Sequence, residues 1–217
     1  MKIELHEKDN FVYAKINAEK SEMKELRDLG LGAMQFHIRE LIGNLNRDLR
    51  LSINENSDWP QLMNCVDKNY AAKEYICERW RLHVTAYVTE AVMHVYLGND
   101  WRLVFKYNER FSQGDGILKD ETLYDVYHRG KNRHGLSKKP KEAIQVYVLT
   151  HYYHGIVFLV GYVTLDELKH GAPEKFGCFS VPINKLHPVG FLKSDYRLGL
   201  KLQVSEARLL NLQAQVC

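Results

Sequence analysis

Gly114-Asp115-Gly116-Ile117-Leu118-Lys119-Asp120-Glu121-Thr122-Leu123-Tyr124-Asp125-Val126-Tyr127-His128 is the stretch on which the reading of this chain turns. Residues 115–118 and 122–128 have the apolar content of two short strands. A hairpin of this length can bring Asp115 and Asp125 together across the pair. Side chains alternate along a strand, so Asp125 and Tyr127 face one way and Tyr124 and Val126 the other. The glycines on either side of Asp115 let the backbone turn sharply or approach a ligand closely. Two carboxylates that close are unfavourable unless a metal ion neutralises them. The plainer alternatives are a Gly-Asp-Gly turn and an exposed strand aspartate.

Upstream, a long helix is expected from about Tyr70 to Leu97, with Gly98-Asn99 as its stop. At about 100° per residue, His83, Tyr87, Glu90 and His94 form one row along its apolar face. A glutamate in that row is desolvated, at a cost that a cation or hydrogen bonds must offset, unless it sits at the edge and reaches solvent. Glu90, Asp115 and Asp125 together could hold a hard divalent cation, which prefers oxygen ligands. Further strands are expected at 101–107, 143–151 and 156–163. Thr164 then caps a short helix, with Glu167 at the capping-box position.

Working outward, residues 2–16 read as a hairpin turning at Asp9-Asn10. Residues 20–50 are helical in period, with a break expected near Gly30-Leu31-Gly32. Asp58-Trp59-Pro60 suggests a cap followed by an early helical proline. The tail carries a strand around 178–182 and a helical segment over 205–213. No internal repeat or low-complexity stretch is present. The expected division is an N-terminal hairpin and helical extension over 1–70 and a core over 71–217. The expected class is α/β (α+β), a central mixed sheet of about five strands flanked by helices.

Composition bounds the function. The 217 residues are 45% hydrophobic and 26% charged, ordinary values for a soluble globular chain. The net charge of +3 is too small to argue for a polyanionic partner by itself. Cys65, Cys77, Cys178 and Cys217 form no CxxC pair, which argues against a zinc knuckle and a disulfide framework. No apolar run approaches the roughly 20 residues needed to cross a bilayer. Lys2-Ile3-Glu4-Leu5 alternates and does not have the form of a signal peptide. A cytoplasmic protein with reduced thiols and no membrane partner is expected.

The order of these segments over residues 75–170 resembles the PD-(D/E)XK nuclease superfamily. Thr89-Glu90-Ala91-Val92-Met93-His94-Val95-Tyr96-Leu97-Gly98 resembles the helix that carries the family's glutamate. Asp115 resembles the motif aspartate, and Asp125-Val126-Tyr127 occupies the D/E-X-K triplet. Residues 145–150, 157–164 and 165–168 resemble the two closing strands and the helix after them. The resemblance implies a restriction-endonuclease-like core, one or two Mg²⁺ (or Mn²⁺) ions on Glu90, Asp115 and Asp125, and hydrolysis of DNA phosphodiester bonds. It also implies a lysine where this chain has Tyr127. Tyrosine carries no positive charge and is a poor base near neutral pH. Of the neighbours, His128 points to the opposite face of a regular strand, so Arg129 or Lys131 is the better substitute.

From His128 to Lys141 the chain carries Arg129, Lys131, Arg133, Lys138, Lys139 and Lys141 and no acid. Its glycines and proline mark it as a loop, placed where a phosphodiester backbone needs counter-charge. A solvated basic loop has the same composition. Three functions follow as expectations. One is a metal-dependent deoxyribonuclease with Asp115, Asp125, Tyr127 and Lys131 at its centre. The second is an inactive relative that binds nucleic acid or a protein. The third is an interaction module that dimerises or docks through its N-terminal helices.

Overall fold

The computed structural model describes residues 1–8, 11–108, 114–128, 135–193 and 206–216. Its elements are β1 (Lys2–Lys8), β2 (Phe11–Asn17), α1 (Lys20–Phe36), α2 (Ile38–Leu49), α3 (Trp59–Val66), α4 (Tyr70–Tyr96) and α5 (Leu103–Asn108). They continue with β3 (Gly116–Ile117), β4 (Leu123–His128), β5 (Gly135–Lys138), β6 (Val146–Tyr153), β7 (Ile156–Thr164), α6 (Leu165–Lys169), β8 (Ala172–Pro173), β9 (Phe179–Pro182) and α7 (Glu206–Val216). The chain forms two compact units, one of residues 1–18 and 88–217, the other of residues 19–87. Glu90 and every later residue of interest lie in the first.

Six strands of that unit form a mixed sheet in the order β1-β2-β7-β6-β4-β3. β4 and β6 run parallel, and the other neighbours antiparallel. Residues 146–150 of β6 and 156–163 of β7 are buried without a break. Such continuous apolar runs mark strands covered on both faces. On one side Tyr147, Leu149, Phe158 and Val160 share a core with Leu209 and Leu212 of α7. The hairpin predicted at 2–16 is present, its Asp9-Asn10 turn lying outside the described residues. It is joined to the central sheet through β2 and β7, Val12 opposite Leu159. A second sheet, β5-β9-β8, contains the strand expected around 178–182 as β9, while β5 and β8 were not expected.

Local signals account for most of the elements. Asp58 Oδ1 accepts the Gln61 N–H at 2.9 Å and Gln61 Oε1 accepts the Asp58 N–H at 3.0 Å, with Pro60 in the first turn. Thr164 and Glu167 close the same reciprocal cap on α6. Gly98, at φ +83, stops α4 as expected. Two expectations are corrected. Residues 101–107 are not a strand: Trp101 and Val104 are buried and the Trp101 and Phe105 rings meet at 5.8 Å, an i, i+3, i+4 pattern that serves a helix. The helix of residues 20–50 does not break at Gly30; it breaks at His37. A Cβ on Gly30 would stand 3.0 Å from Val84 Cγ2, so that glycine permits close packing within a continuous α1. The 19–87 unit is closed by Leu41, Ile42, Leu45, Leu62, Val66 and Ile76, and Asn46 pins Ile53 through both its backbone groups.

Among the described residues, no helix is long and apolar enough to cross a membrane.

The approach of β3 to β4 depends on two glycines. Gly114 sits at φ +92, and a Cβ there would meet the Tyr124 carbonyl oxygen at 2.8 Å. At Gly116 a Cβ would run into the buried Tyr124 ring. Gly114→Ala therefore combines a left-handed backbone with a backbone clash and should cost about 1–3 kcal/mol. Thermal unfolding is expected to drop by roughly 2–4 °C for each of those kcal/mol.

Candidate active site

α4 is buried on every side from Tyr87 to His94, so its register decides what enters the interior. Glu90 is 6% exposed. One turn on, His94 Nδ1 hydrogen-bonds Tyr124 Oη at 3.1 Å. Burial pushes the His94 imidazole down to about 4, so the ring is neutral at physiological pH and contributes no positive charge. It ties α4 to β4, the strand that carries Asp125.

Asp115 and Asp125 come together across the hairpin. Gly116 pairs with Tyr124 and Ile117 with Leu123, so the register carried one step further sets Asp115 opposite Asp125. The Asp115 N–H donates to the Tyr124 carbonyl at 2.8 Å, and the Val126 N–H donates to Asp115 Oδ2 at 2.6 Å. Burial first, then the charges of Glu90 and Asp125, hold the Asp115 carboxyl well above its ordinary range. The Val126 hydrogen bond and the Lys138 ammonium act against them but do not prevail.

Lys138 is the residue the sequence reading underestimates. It ends β5, and its Nζ lies 2.8 Å from Oδ2 of Asp125, a carboxylate only 5% exposed. The same Nζ stands 5.5 Å from the centroid of the Tyr127 ring. Burial works against the Lys138 charge, but the carboxylates of Asp125 and Asp115 outweigh it and the ammonium is held above its usual range. A lysine therefore does stand beside Asp125, delivered by a neighbouring strand, while Tyr127 lies against it. The placement follows once β5 is a strand. Leu136 is fully buried, and strand alternation places Lys138 on the same side, where a cation needs a carboxylate partner.

The other candidates divide. Lys139 and Lys141 are exposed just beyond β5, and the Lys141 N–H donates to Tyr147 Oη at 2.7 Å. Arg129, Lys131 and Arg133 lie outside the described residues, so their assigned roles have no structural account. The span read as a basic loop contains β5, which pairs with β9 from Gly135 opposite Pro182 to Lys138 opposite Phe179.

The donor set can be compared with the cation the sequence implied. Among the described residues, no three His, Cys, Asp or Glu side chains come together closely enough to ligate one ion. A closed protein cage is therefore not formed by them. Mg²⁺ seldom uses one; it keeps several waters and binds through one or two carboxylates plus substrate phosphate. The opposed pair Asp115 and Asp125, with Glu90 acting on Asp115, fits that pattern. Among the described residues, Glu90 and Asp125 act on the Asp115 carboxyl in one direction and Lys138 in the other.

No protein-family model matches the chain, and neither a curated protein nor a solved structure matches it. The architecture is a mixed sheet flanked by helices with an N-terminal hairpin.

Stability should report the raised Asp115 carboxyl. The folded state binds its proton more tightly than the unfolded state, so stability falls as pH rises from the unfolded value near 3.8 through the higher folded value, then levels off. Asp115→Asn keeps an oxygen for the Val126 N–H and removes the charge. It should melt higher than the parent at pH 8, and the gain should shrink toward pH 4. Millimolar Mg²⁺ should raise the parent's melting temperature and leave the variant's unchanged.

Proposed function

We propose that this protein hydrolyses phosphodiester bonds in nucleic acid, DNA first, with Asp115, Asp125 and Lys138 as the reacting constellation and Glu90 behind it. The observation that carries the reading is the 2.8 Å contact between Lys138 and buried Asp125, with Asp115 in register across the hairpin. It supplies the one group whose loss from position 127 argued for an inactive relative. The finer fold assignment, a restriction-endonuclease-like core, belongs to the same proposal. Its support is the parallel pairing of β4 with β6 and the succession of α4, β3, β4, β6, β7 and α6.

Each residue has a definable task. Asp115 and Asp125 would hold Mg²⁺ or Mn²⁺, and Glu90 raises the negative potential at Asp115. When bound, such an ion polarises the phosphate and lowers the pKa of a water ligand. Lys138, held in its charged form, is a donor and cannot serve as a general base near neutral pH. Its contribution is to bind a phosphate oxygen and counter the charge that develops there. Tyr127 packs against the lysine and limits where the ammonium can go. Lys139 and Lys141, exposed beyond β5, offer counter-charge to the flanking backbone.

Incubation with linear and circular DNA and with RNA, in Mg²⁺, Mn²⁺ or EDTA, tests the proposal. Cutting is expected only with metal, with a loss of at least about a hundredfold in Asp115→Ala and Asp125→Ala, comparable to removing a group that stabilises the transition state. A folded protein that cuts nothing under any of these conditions returns the reading to a binding module.

A further inference from the structure

The turn between β8 and β9 carries an unusual residue. Phe176 is 91% exposed, the most exposed of the large apolar side chains described. Its backbone is left-handed, at φ +62, followed by Gly177 at +74. Among the described residues the other non-glycine positions with positive φ are Arg50, Glu121 and His154, all polar. A bulky side chain there is a true outlier, costing on the order of 1–3 kcal/mol, and such strain persists where something over-determines it. The turn itself is tightly closed. The Glu174 N–H donates to the Cys178 carbonyl at 2.8 Å and the Cys178 N–H to the Lys175 carbonyl at 3.3 Å. Neither packing nor solvation explains why the tip should hold a phenylalanine.

Position offers an explanation. Phe179, three residues on, pairs with Lys138 across β9 and β5. A Cβ on Gly177 would lie 3.9 Å from Lys139 Cε, so the tip stands directly beside the lysines that follow the proposed site. Lys139 and Lys175 are both exposed there, while the carboxylate of Glu174 is turned back onto the Ser137 hydroxyl. An aromatic face set among lysines, next to a site that would take phosphate, is the combination that binds unpaired nucleotides. The cations track the backbone and the ring stacks a base. From this placement we infer that Phe176 is a base-stacking platform, and that the strand it engages is single-stranded or locally opened beside the scissile phosphate. The inference rests on the nucleic-acid reading of the neighbouring site and narrows its substrate class.

The test uses the full chain, a labelled single-stranded oligothymidylate with hydrolysis-resistant phosphorothioate linkages, and a duplex of equal length, in Mg²⁺. A second oligonucleotide carries one 2-aminopurine to report stacking. Phe176→Ala should weaken single-strand binding about tenfold and relieve the 2-aminopurine quenching, with little change on duplex. Phe176→Trp should bind at least as tightly as the parent. Phe176→Gly should melt higher than the parent, because glycine suits the left-handed backbone, yet bind as weakly as the alanine variant. Single-strand affinities within twofold for all variants, or no single-strand binding by the parent, overturn the inference; an accompanying change in sedimentation would make Phe176 a protein contact instead. Cleavage assayed in parallel separates the two proposals. Cutting that ignores Phe176 removes the platform and leaves the nuclease reading standing. Phe176-dependent binding without cutting in Mg²⁺ or Mn²⁺ does the reverse.

Discussion

A lysine ammonium 2.8 Å from a buried aspartate is the interaction on which the rest of the site depends. Asp125 is nearly excluded from water, and an ionised carboxylate there is tenable only with a partner. Lys138 meets that need from a strand of the second sheet, through the pairing of β5 with β9. Burial and the charges of Glu90 and Asp125 act on Asp115 in one direction, and Lys138 acts in the other. The outcome is a carboxyl at Asp115 held well above its ordinary range, a group the folded protein tolerates at some cost. A buried carboxyl so perturbed beside a specific charge partner marks a functional-site candidate.

The remaining architecture serves to hold this arrangement. Strands β6 and β7, buried throughout, fix the plane of the sheet, and β4 joins it in parallel so that Asp125 and Tyr127 face β5. Glycines at 114 and 116 let β3 close on the Tyr124 carbonyl and ring, which sets Asp115 into register. The neutral His94 links the glutamate-bearing helix to the same tyrosine. The helix, the two hairpin strands and β5 thus contribute one charged group each, and Tyr124 of β4 contacts both the helix and β3.

Much of this was legible from residues alone. The Asp115 and Asp125 juxtaposition follows from strand period and hairpin length, and Glu90 from the helical row it shares with His94. The caps at Asp58 and Thr164 were readable because a side chain and its target are three residues apart. What escaped were features that depend on long-range pairing. β5 is four residues long with a glycine at its start, and amid basic residues it reads as loop; only its pairing with β9, more than 40 residues on, makes it a strand. From residues alone, Lys138 therefore reads with Lys139 and Lys141 as a nucleic-acid-contacting cation of a basic loop rather than as the partner of Asp125. Trp101 to Phe105 misled in the other direction, since aromatic and branched residues suggest a strand while buried Trp101 and Val104, with the Phe105 ring against Trp101, fit a helix.

Under the proposed function, Lys138 does the charge work for which position 127 carries no lysine. Moving the lysine tests it most directly, by comparing cleavage by Lys138→Met with cleavage by the double variant Tyr127→Lys/Lys138→Met, both checked for folding by circular dichroism. Because Tyr127 already lies against the Lys138 ammonium, a lysine at 127 can reach the same carboxylate. The single variant should lose cutting, and the double variant should regain a substantial part of it. A folded Lys138→Met that cuts DNA as fast as the parent would contradict it.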